Sequence, residues 1–120
     1  MVDQVLEHAA ASVKAELTVT PDNIYVRNGQ FETAGLIEHM AQTVALHKVI
    51  EAEEKGIPAQ KGYLTAIKSL QQEKEIPVAS VITTEIFILL DLQTAVKATC
   101  ISRVNNKVVG AAEMLFKIQA

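Results

Sequence analysis

Apolar and polar residues alternate with period two from Ser12 to Thr20. Val13, Ala15, Leu17 and Val19 fall on one side, Lys14, Glu16, Thr18 and Thr20 on the other, the signature of a half-buried strand. A shorter strand is expected from Val2 to Glu7. Pro21-Asp22-Asn23 reads as a turn and Asn28-Gly29 as a second. From Ala34 the period changes to that of a helix, with Leu36, Ile37, Met40, Ala41, Val44, Ala45 and Val49 at helical spacing. Thr33 is the expected N-cap, and Gly56 followed by Pro58 the expected stop. Such a helix is on the order of 33 Å long. Its first half is apolar nearly all round and predicts enclosure on several sides; Glu51 to Lys55 predict a solvated end.

After Gly62 everything reads as strand: Tyr63 to Leu70, Val78 to Leu90, Ala95 to Val104 and Val108 to Ile118. Asn105-Asn106 is a hairpin pair between the last two. Two strands, one long helix and a meander of four strands predict an α+β domain spanning 1–120. In it a strongly twisted antiparallel sheet wraps one central helix. A helix laid on one sheet leaves edges and a face to cover, which points to a homodimer or a higher oligomer of dimers.

Composition narrows the function. The 120 residues are 49% hydrophobic and 21% charged, enough for a packed core and against disorder. Net charge is −3 without a basic stripe, which disfavours nucleic acid as a partner. The apolar runs are too short to span a bilayer and the first residues lack a signal-peptide layout, so the chain reads as cytoplasmic. Cys100 is a lone cysteine in a β-branched stretch, expected as an inert core thiol. No metal-ligand spacing, glycine-rich phosphate loop or nucleophile elbow occurs, and neither metal nor cofactor is expected.

Several stretches carry a resemblance. MVDQVLE, GLIEHMAQ, GYLTAIKSLQQEKEIPV and NNKVVGAAEMLF resemble, in order, the first strand, the central-helix signature, a later strand with a Pro-Val corner and the closing strand of the bacterial (3R)-hydroxyacyl-ACP dehydratases, which have the hotdog fold. The helix match is the most specific. By this resemblance the chain begins where the family's first strand is already under way. It implies a lyase-type, dehydratase-like protein that acts on or binds β-hydroxyacyl or enoyl thioesters, carried on acyl carrier protein or coenzyme A, in fatty-acid or related lipid or polyketide biosynthesis.

Two departures set the chain apart. The family's loop before the helix contains His-Phe-Pro, and its His is half of the catalytic pair. The corresponding position here is Ile24, and the loop NIYVRNGQFET has no His at all. The family glycine that opens the helix is replaced by Thr33, with Gly35 nearby. In both respects the chain resembles hotdog proteins of secondary lipid and pigment pathways, which share the Gly-Leu-Ile-Glu helix and a degenerate loop.

Glu38 is the principal catalytic candidate. A carboxylate among Leu36, Ile37, Met40 and Ala41 is costly unless it is hydrogen-bonded or functional. The resemblance implies a general acid for the departing 3-hydroxyl; the alternative is a helix-dipole carboxylate without a task. Gln42, four residues on, shares its face and is a candidate to hold Glu38 or a substrate carbonyl. The amides of Ala34, Gly35 and Leu36 are candidates to polarise a thioester carbonyl, Gly35 allowing close approach, unless they are simply capped. Tyr25 and Phe31 are candidates to line an acyl tunnel and Arg27 to meet a phosphate, or else they pin the loop to its core. His8, His39 and His47 read as structural or surface residues.

Two further readings stay open: a thioesterase in which Glu38 activates water or attacks the thioester, and a non-catalytic hotdog subunit that pairs as a heterodimer with a His-bearing partner.

Overall fold

The computed structural model describes residues 1–119. It contains β1 (Gln4–Ala9), β2 (Ser12–Thr18), a two-residue hairpin of β3 (Val26–Arg27) and β4 (Gln30–Phe31), α1 (Thr33–Lys55), β5 (Gly62–Gln72), β6 (Val81–Asp91), β7 (Ala95–Val104) and β8 (Lys107–Ile118). The long strands form one six-stranded antiparallel sheet, with the helix packed against its inner face. This is the hotdog arrangement.

Local chemistry explains most boundaries. Val13, Ala15, Leu17 and Val19 all face the core as the alternation predicts. Asn28 and Gly29 have φ 53° and 74°, and Asn105 and Asn106 φ 52° and 64°, so both pairs turn hairpins through the left-handed region that Asn and Gly tolerate. Gly56 closes the helix at φ 66°, with the amide of Ile57 donating to Ala52 O at 3.0 Å, a Schellman-type end.

Three expectations need correction. The N-cap is Glu32, which makes no side-chain cap bond, and Thr33 is already helical. The Thr33 hydroxyl turns away to donate to Gln72 Oε1 on β5, so a tertiary contact replaces local capping. The last four strands are not a simple meander, because the sheet order is β1-β2-β6-β7-β8-β5. Val19 and Ala79–Ser80 exchange two backbone hydrogen bonds (2.9 and 2.8 Å) that start β6 against β2, leaving the free edge of β8 for β5. β6 accordingly begins at Val81, after a turn in which Ala79 takes φ 77°, and not at Val78.

The third correction concerns the helix. Its buried stripe is Gly35, Leu36, His39, Met40, Thr43, Val44 and His47, while Ala45 and Val49 face outward and Ile37 and Ala41 are only half-buried. Polar side chains enter the core because each finds a carbonyl. His39 Nδ1 donates to Met1 O at 2.8 Å, Thr43 Oγ1 to His39 O at 2.8 Å, and His47 Nε2 to Ala9 O at 3.1 Å. His47 also stacks on His8, with ring centroids 4.9 Å apart.

The bond from His39 Nδ1–H leaves Nε2 bare, and that nitrogen is buried without a partner. Burial pushes the imidazole below its ordinary pKa, against the smaller opposing effect of the bond to Met1 O. Below about pH 6.5 the unfolded chain therefore takes up a proton that the folded chain refuses, and stability falls as the pH drops, by up to ~1.4 kcal/mol per pH unit. In urea titrations at pH 7.5 and 5.5, His39→Asn, whose amide can still donate to Met1 O, is expected to lose less stability than the parent over this interval. Equal losses in the two proteins contradict the assignment.

Candidate functional site

Because Leu36, Met40, Val44 and His47 point into the sheet, the neighbouring stripe of α1 points sideways. Glu38, Ala41, Gln42, Ala45 and Val49 form one wall of an elongated groove of about 470 Å³. The other walls come from the start of β5 and the residues before it (Gln60 to Leu64), from Val96 on β7, and from Phe116 and Ile118 on β8. These sheet residues are brought together by register: Leu64 pairs with Phe116, Gly62 with Ile118, and Phe116 with Val96. The groove is therefore a product of the β5–β8 pairing.

Glu38 and Gln42 meet as expected. Gln42 Nε2 donates to Glu38 Oε1 at 2.8 Å, so one carboxylate oxygen is held, and Oε2 has no hydrogen-bond partner among the described residues. Both side chains are half-buried and line the groove. None of the groove-lining residues is a histidine. His39 and His47 lie beneath the helix on its sheet side, where they serve as structural residues.

Lys48, which is not among the candidates the sequence offers, also lines the groove. Its ammonium donates to Asp91 Oδ2 at 2.6 Å and Glu51 Oε1 at 2.9 Å. Burial works against its charge, but these two bonds outweigh it and hold its pKa above the ordinary lysine value; Lys48 in turn lowers that of Glu51. Ten residues of helix turn it about 80° from Glu38, so spacing along one face gave no signal for it. Phe116 and Val96 carried no such signal, because only the strand pairing brings them to the helix.

The remaining candidates gather elsewhere, at the helix start. Phe31 is buried (1% exposed) and packs edge-to-face on Tyr25, centroids 6.4 Å apart. Neither lines the groove. The amides of Gly35 and Leu36 both donate to Glu32 O, at 2.9 and 3.2 Å, and are consumed by the first helical turn. Of the three candidate amides, only that of Ala34 makes no hydrogen bond among the described residues. Arg27 is exposed and lies 3.8 Å from Glu32. Cys100 is buried and its thiol is pushed up to about 12 by burial, consistent with an inert core residue.

The space at Gly35 is taken by the protein itself. A Cβ there would meet Tyr25 Cβ at 2.5 Å and the Phe31 ring at 2.7 Å. Tyr25 Cβ is fixed to the backbone, so the β3–β4 hairpin would have to move.

Residues 1–115 match the ApeP-like family, described as the ApeP dehydratase. The chain belongs to that family of hotdog dehydratases. Among solved structures it is similar to the dehydratase heterocomplex ApeI:P from Xenorhabdus doucetiae, with TM-score 0.92 and 16% identity over 99% of this chain and 82% of that one. A hypothetical thioesterase protein with coenzyme A from Streptococcus pneumoniae TIGR4 gives TM-score 0.79 at 13% identity, over 98% of this chain and 88% of that one. Zebra fish thioesterase superfamily member 2 gives 0.77 at 13%, over 97% and 80%. No curated protein matches the sequence. Among the described residues, no group of three or more His, Cys, Asp and Glu could hold a metal ion, and no helix is long and apolar enough to cross a membrane.

The packing at Gly35 generates a test. Gly35→Ala lowers the free energy of unfolding by about 1–3 kcal/mol, the usual cost of overpacking a filled site, read from urea midpoints. A variant as stable as the parent contradicts the close packing of the hairpin.

Proposed function

We propose that this chain is the acid-bearing subunit of a dehydratase acting on β-hydroxyacyl thioesters, carried on acyl carrier protein or coenzyme A, and that a second hotdog subunit supplies the base. The observation that carries this reading is the Glu38–Gln42 pair lining a largely apolar groove, with one carboxylate oxygen held at 2.8 Å and the other without a hydrogen-bond partner among the described residues.

In the dehydration direction the base takes a proton from C2, the electron pair forms the C2–C3 double bond, and the C3–O bond breaks as Glu38 gives its proton to the departing hydroxyl. Water leaves, Glu38 is left as carboxylate, and reversal of these steps hydrates the enoyl thioester. Gln42 is a positioning residue: by holding Oε1 it turns Oε2 towards the reacting hydroxyl. The base is assigned to a partner because the groove contains no histidine. Membership of a dehydratase family and likeness to a dehydratase heterocomplex support a paired arrangement. Likeness to a coenzyme A-bound structure supports a thioester ligand. No role falls to the amides of Gly35 and Leu36, which are already spent on Glu32 O.

The test is turnover of 3-hydroxyacyl and enoyl thioesters on acyl carrier protein, by this chain alone and together with a His-bearing hotdog subunit. The pair is expected to interconvert hydroxyacyl and enoyl products faster than either subunit. Glu38→Gln in this chain is expected to lower that rate at least ~10²-fold, the usual worth of a general acid. Free acid as the product would show a thioesterase instead. An unchanged rate in Glu38→Gln would remove the acid role.

A further inference from the structure

The three histidines of the chain share one task. His39 Nδ1 donates to Met1 O at 2.8 Å and His47 Nε2 to Ala9 O at 3.1 Å. His8 lies on the strand between those carbonyls, stacked on His47 and 3.4 Å from Glu54 on α1. Both ends of residues 1–9 are thus held on the helix by imidazoles. We infer that this segment is an acid-released strap: protons taken up by the imidazoles free it from α1 while the rest of the sheet stays folded.

Two observations carry this, one chemical and one mechanical. Each imidazole reaches its carbonyl as a neutral ring, and its second nitrogen, Nε2 of His39 and Nδ1 of His47, is buried without a partner. A proton added there makes an N–H that the closed form cannot satisfy, whereas water satisfies it once the strap has left. Nε2 of His8 is buried and unpartnered in the same way. The mechanical observation is that β1 is an edge strand, hydrogen-bonded to β2 alone in the sheet order. Residues 4–7 are exposed and a bulge breaks the ladder between Val5 and Glu7. An exposed, irregular strand on the rim of a sheet is the kind of segment that opens locally.

Few charges face the imidazoles. His39 faces the α-ammonium of Met1, which opposes a second positive charge, and more weakly Asp3, which favours it. His47 faces His8 across the stack and Glu51 along the helix, and His8 faces Glu54. A proton on each ring of the stack would set two cations about 4.9 Å apart, a repulsion that departure of the strap relieves. Cys100, the other buried titratable side chain among the described residues, stays neutral.

Release uncovers a defined surface. Met1 and Val2 form one wall of a second groove of about 310 Å³, and Gln42, Ala45, Leu46 and Val49 of α1 form the rest. Gln42 also lines the first groove, so the strap flanks the stripe that carries the Glu38–Gln42 pair.

Native-state hydrogen exchange on the full chain tests this, followed by NMR at pH 7.5 and 5.5 and at several urea concentrations below the unfolding transition. The reporters are the amides of Asp3, which donates to Glu16 O at 2.9 Å, and Thr18, which donates to Asp3 Oδ2 at 2.7 Å. Amides of the β7–β8 ladder are the reference. At pH 5.5 a solvated imidazole with the ordinary pKa of about 6.5 is protonated about ten to one. Each ring that is neutral only in the closed form therefore favours opening about tenfold. The strap reporters are expected to be less protected than the reference and to depend little on urea. Between the two pH values they are expected to lose protection about tenfold or more, after correction for intrinsic exchange. His39→Asn with His47→Gln keeps both donors without the titration and is expected to abolish that loss. Strap amides that share the protection and urea dependence of β7–β8, or that lose no protection at pH 5.5, overturn the strap. A loss undiminished in the double variant overturns it as well. If that variant does not fold, the parent profile still decides whether the strap opens by itself in acid.

Discussion

The rotation of α1 about its own axis decides what this protein presents to a ligand. That rotation is set by a buried stripe that is not purely apolar. Leu36, Met40 and Val44 supply the hydrophobic contact, while His39 and His47 anchor the same face to the carbonyls of Met1 and Ala9. A purely aliphatic stripe tolerates some rolling of the helix. Two imidazoles bound to fixed carbonyls do not, because a rotation large enough to break either bond leaves a buried donor unpaired, a cost of about 1–3 kcal/mol. With the stripe fixed, Glu38, Gln42 and Ala45 are fixed too, one step around the helix and facing the groove.

The histidines thus orient the groove's lining without entering the groove. A single exchange of faces would place an imidazole in the groove and a carboxylate in the core, the more expensive arrangement on both counts. The groove itself depends on strand order. β5 passes beyond the rest of the sheet to pair with β8, which sets Leu64 beside Phe116 and opens the lane between the sheet and the outer half of the helix. The helix start is closed in the opposite manner: Tyr25 and Phe31 pack on Gly35, and the amides of Gly35 and Leu36 are satisfied by Glu32 O. The first turn of the helix packs on its own hairpin, while the stripe from Glu38 to Val49 lines the groove.

Much of this was legible in the chain. The alternation from Val13 to Val19, the Asn28-Gly29 and Asn105-Asn106 turns and the glycine stop at Gly56 were readable because each depends on local backbone preference. The Glu38–Gln42 contact was readable because i,i+4 residues on a helix are neighbours in any tertiary setting. What escaped depends on distant partners. Nothing near His39 or His47 in sequence announces the carbonyls that let them be buried, so the apolar stripe was placed partly on the outward face. Nothing near Tyr63 shows that its strand pairs with β8, so the groove walls at Val96 and Phe116 were invisible. The cluster at Gly35 misled for a related reason: a glycine beside a helix start suits an approaching ligand and an approaching hairpin equally well, and only the fold distinguishes them.

In the proposed function, ligand binds the outward stripe of α1 and not the helix start. Titration of isotope-labelled chain with a saturated decanoyl N-acetylcysteamine thioester, read by amide and methyl chemical shifts, tests it most directly. The shifts are expected to move at Glu38, Ala41, Gln42 and Ala45 and on the facing strands at Leu64 and Val96, with Tyr25, Phe31 and Gly35 unmoved. Perturbations centred on Gly35 and its hairpin, with Ala45 silent, would contradict it.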